Sequence, residues 1–433
     1  MRMTLTSRGS ALSLTFALAV AGCAGSSGGS GSGGSNGGGT SGAGHGGGGT
    51  SGTAGNTGTA GTTGTAGTSG TAGTSGTAGT TGTAGTTGTA GTSGSGGGAG
   101  TGSGFTPYAC PSGVTTPSAG SFPAGSTATR ITGAPPVDNF DGNQGFGFTN
   151  IEGPVWIGNA LYFSEMVSSP SPPPARILKI DSNDTVTQFY PSGSGGDSGS
   201  NGLAVDSSGN LVSANHGVGG IVTFTLPSGT PKTTNISSYN GHRFDSPNDL
   251  TIRKDGTIFF TDPNFQAPST LPQPTTGVYM VPPGSATATQ LLGSTISNPN
   301  GITLSLDEKT LYVGHGGGVN SYTLNTDGTI GATATQVDAA DLNGATDGMA
   351  IDCAGDLYVV NVNAHTIVVV TFGGNPGSAG SKLTTISGIP GNGQLTNSAF
   401  GGSDHKTLYV TVQGTGTTKG VFKLAMPIAG MPY

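Results

Sequence analysis

The sequence feature that most constrains the fold is a repeat of about 50 residues that fills the last two-thirds of the chain. An acidic or amide residue precedes a short apolar run six times, at spacings of 47–52 residues. The six positions are Glu152, Asn201, Asn248, Asn300, Asp347 and Asn397. A second apolar run follows each of them after a turn such as Asp255-Gly256. Each unit therefore predicts a strand, a tight turn and a second strand, with further short strands before the next unit.

Repeats of this length with several strands each are typical of a β-propeller. We expect residues 105–433 to form an all-β, six-bladed β-propeller whose six repeated positions make a ring at the central tunnel. The last unit shows only three clear strands. A propeller must close its ring or leave an edge exposed. We therefore expect Thr127–Thr132 to supply the outer strand of the last blade.

The first part of the chain indicates export and lipid anchoring. Residues 1–23 have a basic start and an apolar run, Ala11–Val20, that is too short to span a bilayer. The ending Val20-Ala21-Gly22-Cys23 resembles a bacterial lipobox. We expect Cys23 to be lipidated at the bacterial cell envelope or outer surface. The alternative is ordinary cleavage that leaves a free cysteine.

Residues 24–104 form a low-complexity segment of small residues without a single Asp, Glu, Lys or Arg. Such a segment cannot bury enough apolar surface to offset the entropy of ordering, so we expect a flexible tether. Without the signal peptide the chain has 12 Lys and Arg against 21 Asp and Glu. This acidic balance argues against nucleic acid as a partner. We expect a monomer that contacts a membrane only through its N-terminal anchor.

Cys110 and Cys353 are the two cysteines that remain in the exported domain. Cysteines of exported proteins usually pair. We expect a disulfide between the leading segment and the fifth unit, with two free thiols as the alternative.

The ring positions present oxygen donors only, two carboxylates and four amides. A single such residue before a Gly would be read as a turn, but six in one phase favour a cation site over a purely structural ring. Oxygen ligands suit Ca²⁺ first, with Mg²⁺, Mn²⁺ or Zn²⁺ as alternatives. A structural zinc site needs Cys or His at short spacings, which the sequence lacks.

Hairpin geometry predicts which further residues reach the same mouth of the tunnel. Residues fourteen or fifteen positions after a ring residue should lie opposite it. This count gives His216, His315, Asp262 and Asn361. Each histidine has two readings that stay open, a polar mouth residue or a hydrogen-bonding partner of a substrate.

The ring chemistry favours ester or lactone hydrolysis. A bound cation polarises a carbonyl, and a carboxylate beside it takes the proton of the attacking water. A serine nucleophile is disfavoured because Gly-x-Ser-x-Gly occurs only in flexible stretches and not at a strand-to-helix turn.

At these residues the sequence resembles the SMP-30/gluconolactonase family of six-bladed propellers. The stretches that carry the resemblance cover most of residues 148–413. They include Glu152-Gly153-Pro154-Val155-Trp156, Asn201-Gly202-Leu203-Ala204-Val205-Asp206, Arg243-Phe244-Asp245-Ser246-Pro247-Asn248-Asp249, Phe260-Thr261-Asp262-Pro263, Pro299-Asn300-Gly301 and Asp347-Gly348-Met349-Ala350-Ile351-Asp352.

The resemblance implies a divalent metal, usually Ca²⁺, held by Glu152, Asn300 and Asp347, with Asp347 also the general base. It further implies that Asn248 lies near metal and substrate and that Arg243 contacts substrate hydroxyls. Asp249 would orient Asn248 or the substrate. His216 closes a turn similar to the family's Glu-His-Gly.

The sequence departs from the family at two places. Asp245 stands where relatives often carry Asn, and one loop at the predicted mouth also differs. The familiar Thr-Asp-Pro-Pro-Tyr-Gly reads Thr261-Asp262-Pro263-Asn264-Phe265-Gln266 here. The first hypothesis is a surface-anchored, metal-dependent lactonase acting on a small lactone or ester. The alternatives are a display propeller that binds a ligand or sugar without turnover, and a related arylesterase or phosphotriesterase. Retention of Asp347 and Arg243 favours the lactonase.

Overall fold

The computed structural model describes residues 105–133, 150–167, 170–191, 199–230, 232–331, 334–362, 364–390, 393–413 and 419–432. The signal peptide with Cys23 and the tether over 24–104 lie outside the described residues. No helix in the described ranges is both long and apolar enough to cross a membrane.

The fold is an all-β propeller of six four-stranded antiparallel sheets, as the repeat predicted. The first blade contains β2 (Asn150–Ile157), β3 (Ala160–Met166), β4 (Ala175–Ile180) and β5 (Val186–Tyr190). The second contains β6 (Ser200–Val205), β7 (Leu211–Asn215), β8 (Gly220–Phe224) and β9 (Lys232–Ile236). The third contains β12 (Leu250–Ile252), β13 (Ile258–Asp262), β14 (Gly277–Val281) and β15 (Thr289–Leu292). A small hairpin, β10 (Ser238–Tyr239) with β11 (His242–Arg243), lies between the second and third blades.

The remaining blades are β16 (Ile302–Leu304), β17 (Thr310–His315), β18 (Gly318–Thr323), β19 (Thr335–Val337); β20 (Thr346–Ile351), β21 (Leu357–Asn361), β22 (Thr366–Thr371), β23 (Ser381–Ser387); and β24 (Gln394–Gly401), β25 (Thr407–Gln413), β26 (Gly420–Ala425) with β1 (Thr129–Arg130).

The ring closes through β1, which pairs antiparallel with β26 as the outer strand of the sixth blade. Thr129 lies opposite Lys423, and Arg130 lies opposite Phe422. The expectation for residues 127–132 is therefore confirmed. The N-terminal strand covers the edge that the last three strands would otherwise leave open.

The turns between the first and second strands follow from Asp and Gly side chains. The Asp206 carboxylate accepts hydrogen bonds from the backbone N–H groups of Ser208 and Asn210, both at 2.8 Å. Gly209 adopts a φ of 80°, a left-handed conformation that Gly enters without steric cost. These turns form the end of the propeller opposite the ring positions, which we call the base.

The core lies between the blades. Six clusters of buried apolar side chains each join two neighbouring blades, including the sixth and the first. Trp156 belongs to the cluster that joins the sixth and first blades, where its ring stacks 5.4 Å from that of Tyr409. Burial between blades explains why residues on both faces of inner strands such as β6, β16 and β20 are buried.

The segment that precedes β1 crosses the base. Cys110 and Cys353 form a disulfide, the pairing that their presence in an exported domain favoured. Nearby, the Tyr108 ring stacks on His405 with centroids 3.8 Å apart. Phe105 and Tyr108 help to line a cavity of about 300 Å³ against the base turns.

Candidate active site

Ring residues from the inner strands meet at one end of the tunnel, at the floor of a cavity of about 350 Å³. We call it the mouth cavity. Its lining includes Glu152, Asn248, Asn300 and Asp347. These four residues come from four different blades, so the chain must complete its ring before the site exists. The structure thus brings together the three residues that the resemblance assigned to a metal.

Glycines directly after the ring residues allow the blades to approach this closely. A Cβ added to Gly301 would lie 2.3 Å from the carbonyl oxygen of Asp347, and one added to Gly348 would lie 1.9 Å from the side chain of Asn397. Real Cβ atoms do not make such contacts, so a larger residue would push neighbouring blades apart. Each Gly that directly follows a ring residue therefore packs against the ring residue of the next blade.

The carboxylates of the site repel each other. Burial is the first cause that raises the pKa of Glu152 well above its usual value, and the charges of Asp347 and Asp249 add to it. Burial also raises the pKa of Asp347 well above its usual value, with the charge of Asp249 second. No Lys or Arg side chain lines the mouth cavity in the described ranges, which contain every basic residue except Arg2 and Arg8.

Two amides complete the group. The Asn300 side chain hydrogen-bonds to Asp347, while its Oδ1 is buried without a partner among the described residues. The Asn397 side chain hydrogen-bonds to both Glu152 and Asp249, and its Oδ1 accepts a bond from the backbone N–H of Ser398 at 2.8 Å. The amides therefore donate hydrogen bonds to the carboxylates of the site.

Asp249 lies closer to the centre than its predicted role implied. Sequence reasoning assigned it to orienting Asn248 or the substrate, whereas its charge acts directly on Glu152 and Asp347. Burial raises its pKa to about 7, although the backbone N–H groups of Leu250 and Ile302 bond to it. The sequence does carry a signal for this position, because Asp249 stands where four of the other five units have Gly.

His315 reaches the mouth cavity as the hairpin count predicted. Its Nδ1 accepts a hydrogen bond from the backbone N–H of Gly317 at 3.0 Å. Its Nε2 is buried without a partner among the described residues. Burial lowers the pKa of His315, and the Asn320 side chain opposes this. Because Nδ1 accepts the bond from Gly317, the proton of the neutral imidazole is on Nε2.

His216 lies inside the fold and is not among the residues that line the mouth cavity. Its Nε2 is 2.9 Å from the carbonyl oxygen of Pro173, so this nitrogen carries the proton. Burial lowers its pKa to about 4, and the charge of Arg243 acts in the same direction. The structure gives His216 a buried contact with a loop of the first blade.

Arg243 is likewise not among the residues that line the mouth cavity. Its guanidinium donates hydrogen bonds to the carbonyl oxygens of Phe244, Asp245, His216 and Gly217. These four acceptors occupy the planar fork that a substrate would otherwise need. The observed contacts join the turn after β7 to the segment that follows β11.

Asp262 and Asn361 also differ in what they reach. Asp262 is fully buried, and its two carboxylate oxygens accept bonds from the backbone N–H groups of Asp245 and Ser246. Burial raises its pKa to about 8. Asn361 pairs with Thr346 at the start of the fifth blade, next to Asp347. Asp262 therefore fixes a loop, while Asn361 stays at the mouth end of its blade.

Several lining residues were missed by sequence reasoning because they are neither charged nor at the ring position. They are the amides Asn150, Asn298, Gln394 and Gln413. Phe265 and Gln266 also line the cavity. They belong to the loop that the sequence analysis placed at the mouth without giving either residue a role.

The donor set fits a hard divalent cation. Two carboxylates and amide oxygens are the ligands that Ca²⁺ prefers. In the described residues, no group of three His, Cys, Asp or Glu side chains is arranged as a metal site by itself. The unpartnered Oδ1 of Asn300 and the uncompensated charges of Glu152 and Asp347 are what a cation would satisfy.

The structure is a closed six-bladed propeller with carboxylate and amide side chains gathered at one mouth. The profile of the SMP-30/gluconolactonase/LRE-like region matches residues 151–414. The chain belongs to this family, and the resemblance drawn from the motifs is confirmed.

Similar proteins agree with this membership. The chain is 29% identical over 287 residues to a gluconolactonase of Zymomonas mobilis, covering 60% of this chain and 75% of the relative. The structure of a Xanthomonas campestris gluconolactonase matches with a TM-score of 0.52 at 25% identity, covering 65% of this chain and 87% of that one. The calcium-binding regucalcin of Agrobacterium tumefaciens matches with a TM-score of 0.50 at 18% identity, covering 66% and 92%, which shows the fold alone.

Proposed function

We propose that this protein hydrolyses a lactone with the help of a divalent cation, Ca²⁺ first, held by Glu152, Asn300 and Asp347. The observation that carries the proposal is the meeting of buried carboxylates from different blades at the floor of the mouth cavity, with no basic side chain among its lining residues. Uncompensated carboxylates cost free energy unless they serve a ligand, and a cation is the ligand that their charge favours. When bound, the cation polarises the lactone carbonyl.

Asp347 is the residue that we assign as general base. Its carboxylate lies at the cavity floor, and the Asn300 side chain holds it by a hydrogen bond. A water molecule between Asp347 and the lactone carbonyl would give its proton to this carboxylate as it attacks. The ester C–O bond then breaks, and the former ring oxygen leaves as an alcohol after receiving the proton that Asp347 took from the water.

His315 is suited to donate a hydrogen bond, whereas Asp347 accepts a proton. In its neutral imidazole Nε2 carries the proton, and the backbone N–H of Gly317 bonds to Nδ1 and holds the ring in place. We assign this Nε2–H to a hydrogen bond with an oxygen of the bound substrate, and Asn248 to a second one. A donor that is already oriented needs no reorganisation when charge develops on the substrate.

The relatives support this reaction class. Proteins of Zymomonas mobilis and Xanthomonas campestris that are similar to this chain are gluconolactonases, and a structural neighbour from Agrobacterium tumefaciens binds calcium.

The charge of the mouth cavity also restricts which class of lactone the site can bind. Because no Lys or Arg lines it in the described ranges, a phosphate or carboxylate substituent would find no basic partner there. The proposed substrate is therefore a neutral lactone.

The test is a pH-stat assay of the exported domain on glucono-1,5-lactone, after chelation and again after Ca²⁺ is added back. We expect hydrolysis that is lost with the metal and restored by it. Absence of metal-dependent hydrolysis with retained sugar binding would favour a display propeller. Faster turnover of phenyl acetate or paraoxon than of any lactone would favour an arylesterase or phosphotriesterase.

We also propose that Cys23 anchors the protein to the cell envelope, an inference that rests on the lipobox-like sequence alone. Metabolic labelling with a fatty acid would test it. Label that is absent from a Cys23→Ser variant but present in the parent supports the anchor, and equal labelling of both contradicts it.

A further inference from the structure

Phe265 stands out on the surface of the propeller. Among the described residues, Phe265 and Leu271 are the large apolar side chains that are exposed, at 44% and 48%. Both lie on the loop between β13 and β14, but only Phe265 lines the mouth cavity. An exposed aromatic ring at the edge of a polar cavity is a feature of binding surfaces rather than of a core.

The loop that carries Phe265 is held in place from both ends. At one end, Ser246 Oγ donates to the carbonyl oxygen of Pro263 at 3.0 Å and accepts from the backbone N–H of Gln266 at 3.2 Å. At the other end, the backbone N–H of Gln273 donates to Asp245 Oδ1 at 2.8 Å. These hydrogen bonds fix the loop that carries Phe265 at the cavity edge before any ligand binds. Ligand binding therefore does not include the entropy loss of ordering this loop.

The rest of the rim is neutral and rich in amides. Gln266 lies beside Phe265, while Asn150, Gln394 and Gln413 line the cavity from the first and sixth blades. Gln413 Nε2 donates to Gln394 Oε1 at 3.1 Å, which uses one polar group of each side chain. Amides both donate and accept hydrogen bonds, which suits hydroxyl groups rather than ions.

Phe265 lines the same cavity as the ring carboxylates Glu152 and Asp347. The volume of this cavity, about 350 Å³, lies within the range of sites that enclose drug-sized ligands. A substituent on a lactone bound at Glu152 and Asp347 would therefore remain inside one continuous cavity with Phe265.

We propose that Phe265 forms a subsite for a second neutral sugar unit, so that the substrate is an aldonolactone that carries a glycosyl substituent. This inference rests on the lactonase activity proposed above. The apolar C–H face of a sugar ring would lie on the Phe265 ring, and its hydroxyls would bond to the rim amides. Water adds only to the lactone ester, and the glycosidic bond stays intact.

The experiment compares kcat/KM for cellobiono-1,5-lactone with that for glucono-1,5-lactone, in the parent protein and in Phe265→Ala. The control is Leu271→Ala, which removes the other exposed apolar side chain of the same loop without touching the cavity. We expect the parent to prefer the disaccharide lactone. The ratio of the two kcat/KM values should fall about three- to tenfold in Phe265→Ala and stay at the parent value in Leu271→Ala.

Two results would overturn the subsite. One is a ratio of kcat/KM values for the two lactones that is equal in the parent and in Phe265→Ala. The other is a higher kcat/KM for an alkyl-substituted lactone than for the disaccharide lactone. Calorimetric binding of the neutral disaccharide cellobiose keeps the subsite testable if no lactone is hydrolysed, an outcome that would contradict the proposed function instead. In that measurement the subsite predicts weaker binding of cellobiose by Phe265→Ala than by Leu271→Ala, and equal binding, or no binding to the parent, would contradict it.

Discussion

Gly301 packs directly against the backbone of Asp347, so that a Cβ at Gly301 would lie 2.3 Å from the Asp347 carbonyl oxygen. The fourth blade thus touches the fifth at the residue that we assign as general base. Because the obstacle is backbone and not a mobile side chain, any larger residue at position 301 must move the strand that carries Asp347.

The first prediction is that Gly301→Ala lowers both stability and hydrolysis. Overpacking of this kind costs about 1–3 kcal/mol. Thermal unfolding and lactone hydrolysis would be measured together. Gly120→Ala is the control, since nothing lies within 4 Å of a Cβ there and its backbone is not left-handed. A Gly301→Ala protein with parental melting temperature and activity would contradict the close approach of the two blades.

The second prediction concerns the carboxylate of Asp347. Asp347→Asn should lower kcat/KM for the lactone by about 10²–10⁴, the usual contribution of a general base. Its melting temperature without metal should stay equal or rise, because repulsion with Asp249 and Glu152 is removed. Asp404→Asn, on the exposed surface, serves as the control. Equal activity of the two variants would remove Asp347 from the mechanism.

The third prediction separates stability from activity at the base. Replacing Cys110 and Cys353 by Ser should destabilise the propeller by about 2–5 kcal/mol, since the disulfide closes a long loop of 243 residues. The kcat should not change, because the disulfide lies at the end opposite the mouth cavity. Urea unfolding and initial rates at saturating lactone test both halves. A large loss of kcat in the still-folded variant would contradict this separation.

The fourth prediction is a pH dependence caused by His216. Its pKa in the folded state is about 4 because of burial, against about 6.5 in an unfolded chain. The unfolded state therefore binds a proton first, so the stabilisation is complete above pH 6.5 and is lost as the pH falls toward 4. The loss amounts to at most about 3 kcal/mol.

His216→Gln tests this contribution, because Gln keeps a donor for the Pro173 carbonyl but does not titrate. Urea unfolding at pH 7.5, 5.5 and 4.5 should show a smaller fall in unfolding free energy for the variant than for the parent. Parallel curves would show that His216 titrates normally in the folded state.

The fold could be predicted from the sequence because its period is visible in the chain. Six acidic or amide residues in one phase located the ring, and the missing fourth strand of the last unit led to β1. Each of these inferences uses only the spacing of residues along one chain and the need to close a sheet.

The details of the site depend on contacts between distant segments, which spacing does not reveal. The buried His216 side chain contacts the carbonyl oxygen of Pro173, which belongs to another blade. The Arg243 guanidinium donates hydrogen bonds to the carbonyl oxygens of His216 and Gly217. Counting along a hairpin placed His216 near the mouth, and the family resemblance assigned Arg243 to the substrate, but neither shows which way a side chain turns. The sequence placed the loop of Phe265 at the mouth but gave Phe265 no role, because neither its charge nor the repeat period marks it.

Calorimetric titration of Ca²⁺ into the chelated domain tests the central claim most directly. The account predicts one site per chain in the parent protein, and loss of that binding in both Glu152→Gln and Asp347→Asn, with Asp404→Asn like the parent. Binding that persists unchanged in the two ring variants, or no binding to the folded parent, would contradict a shared cation at the mouth.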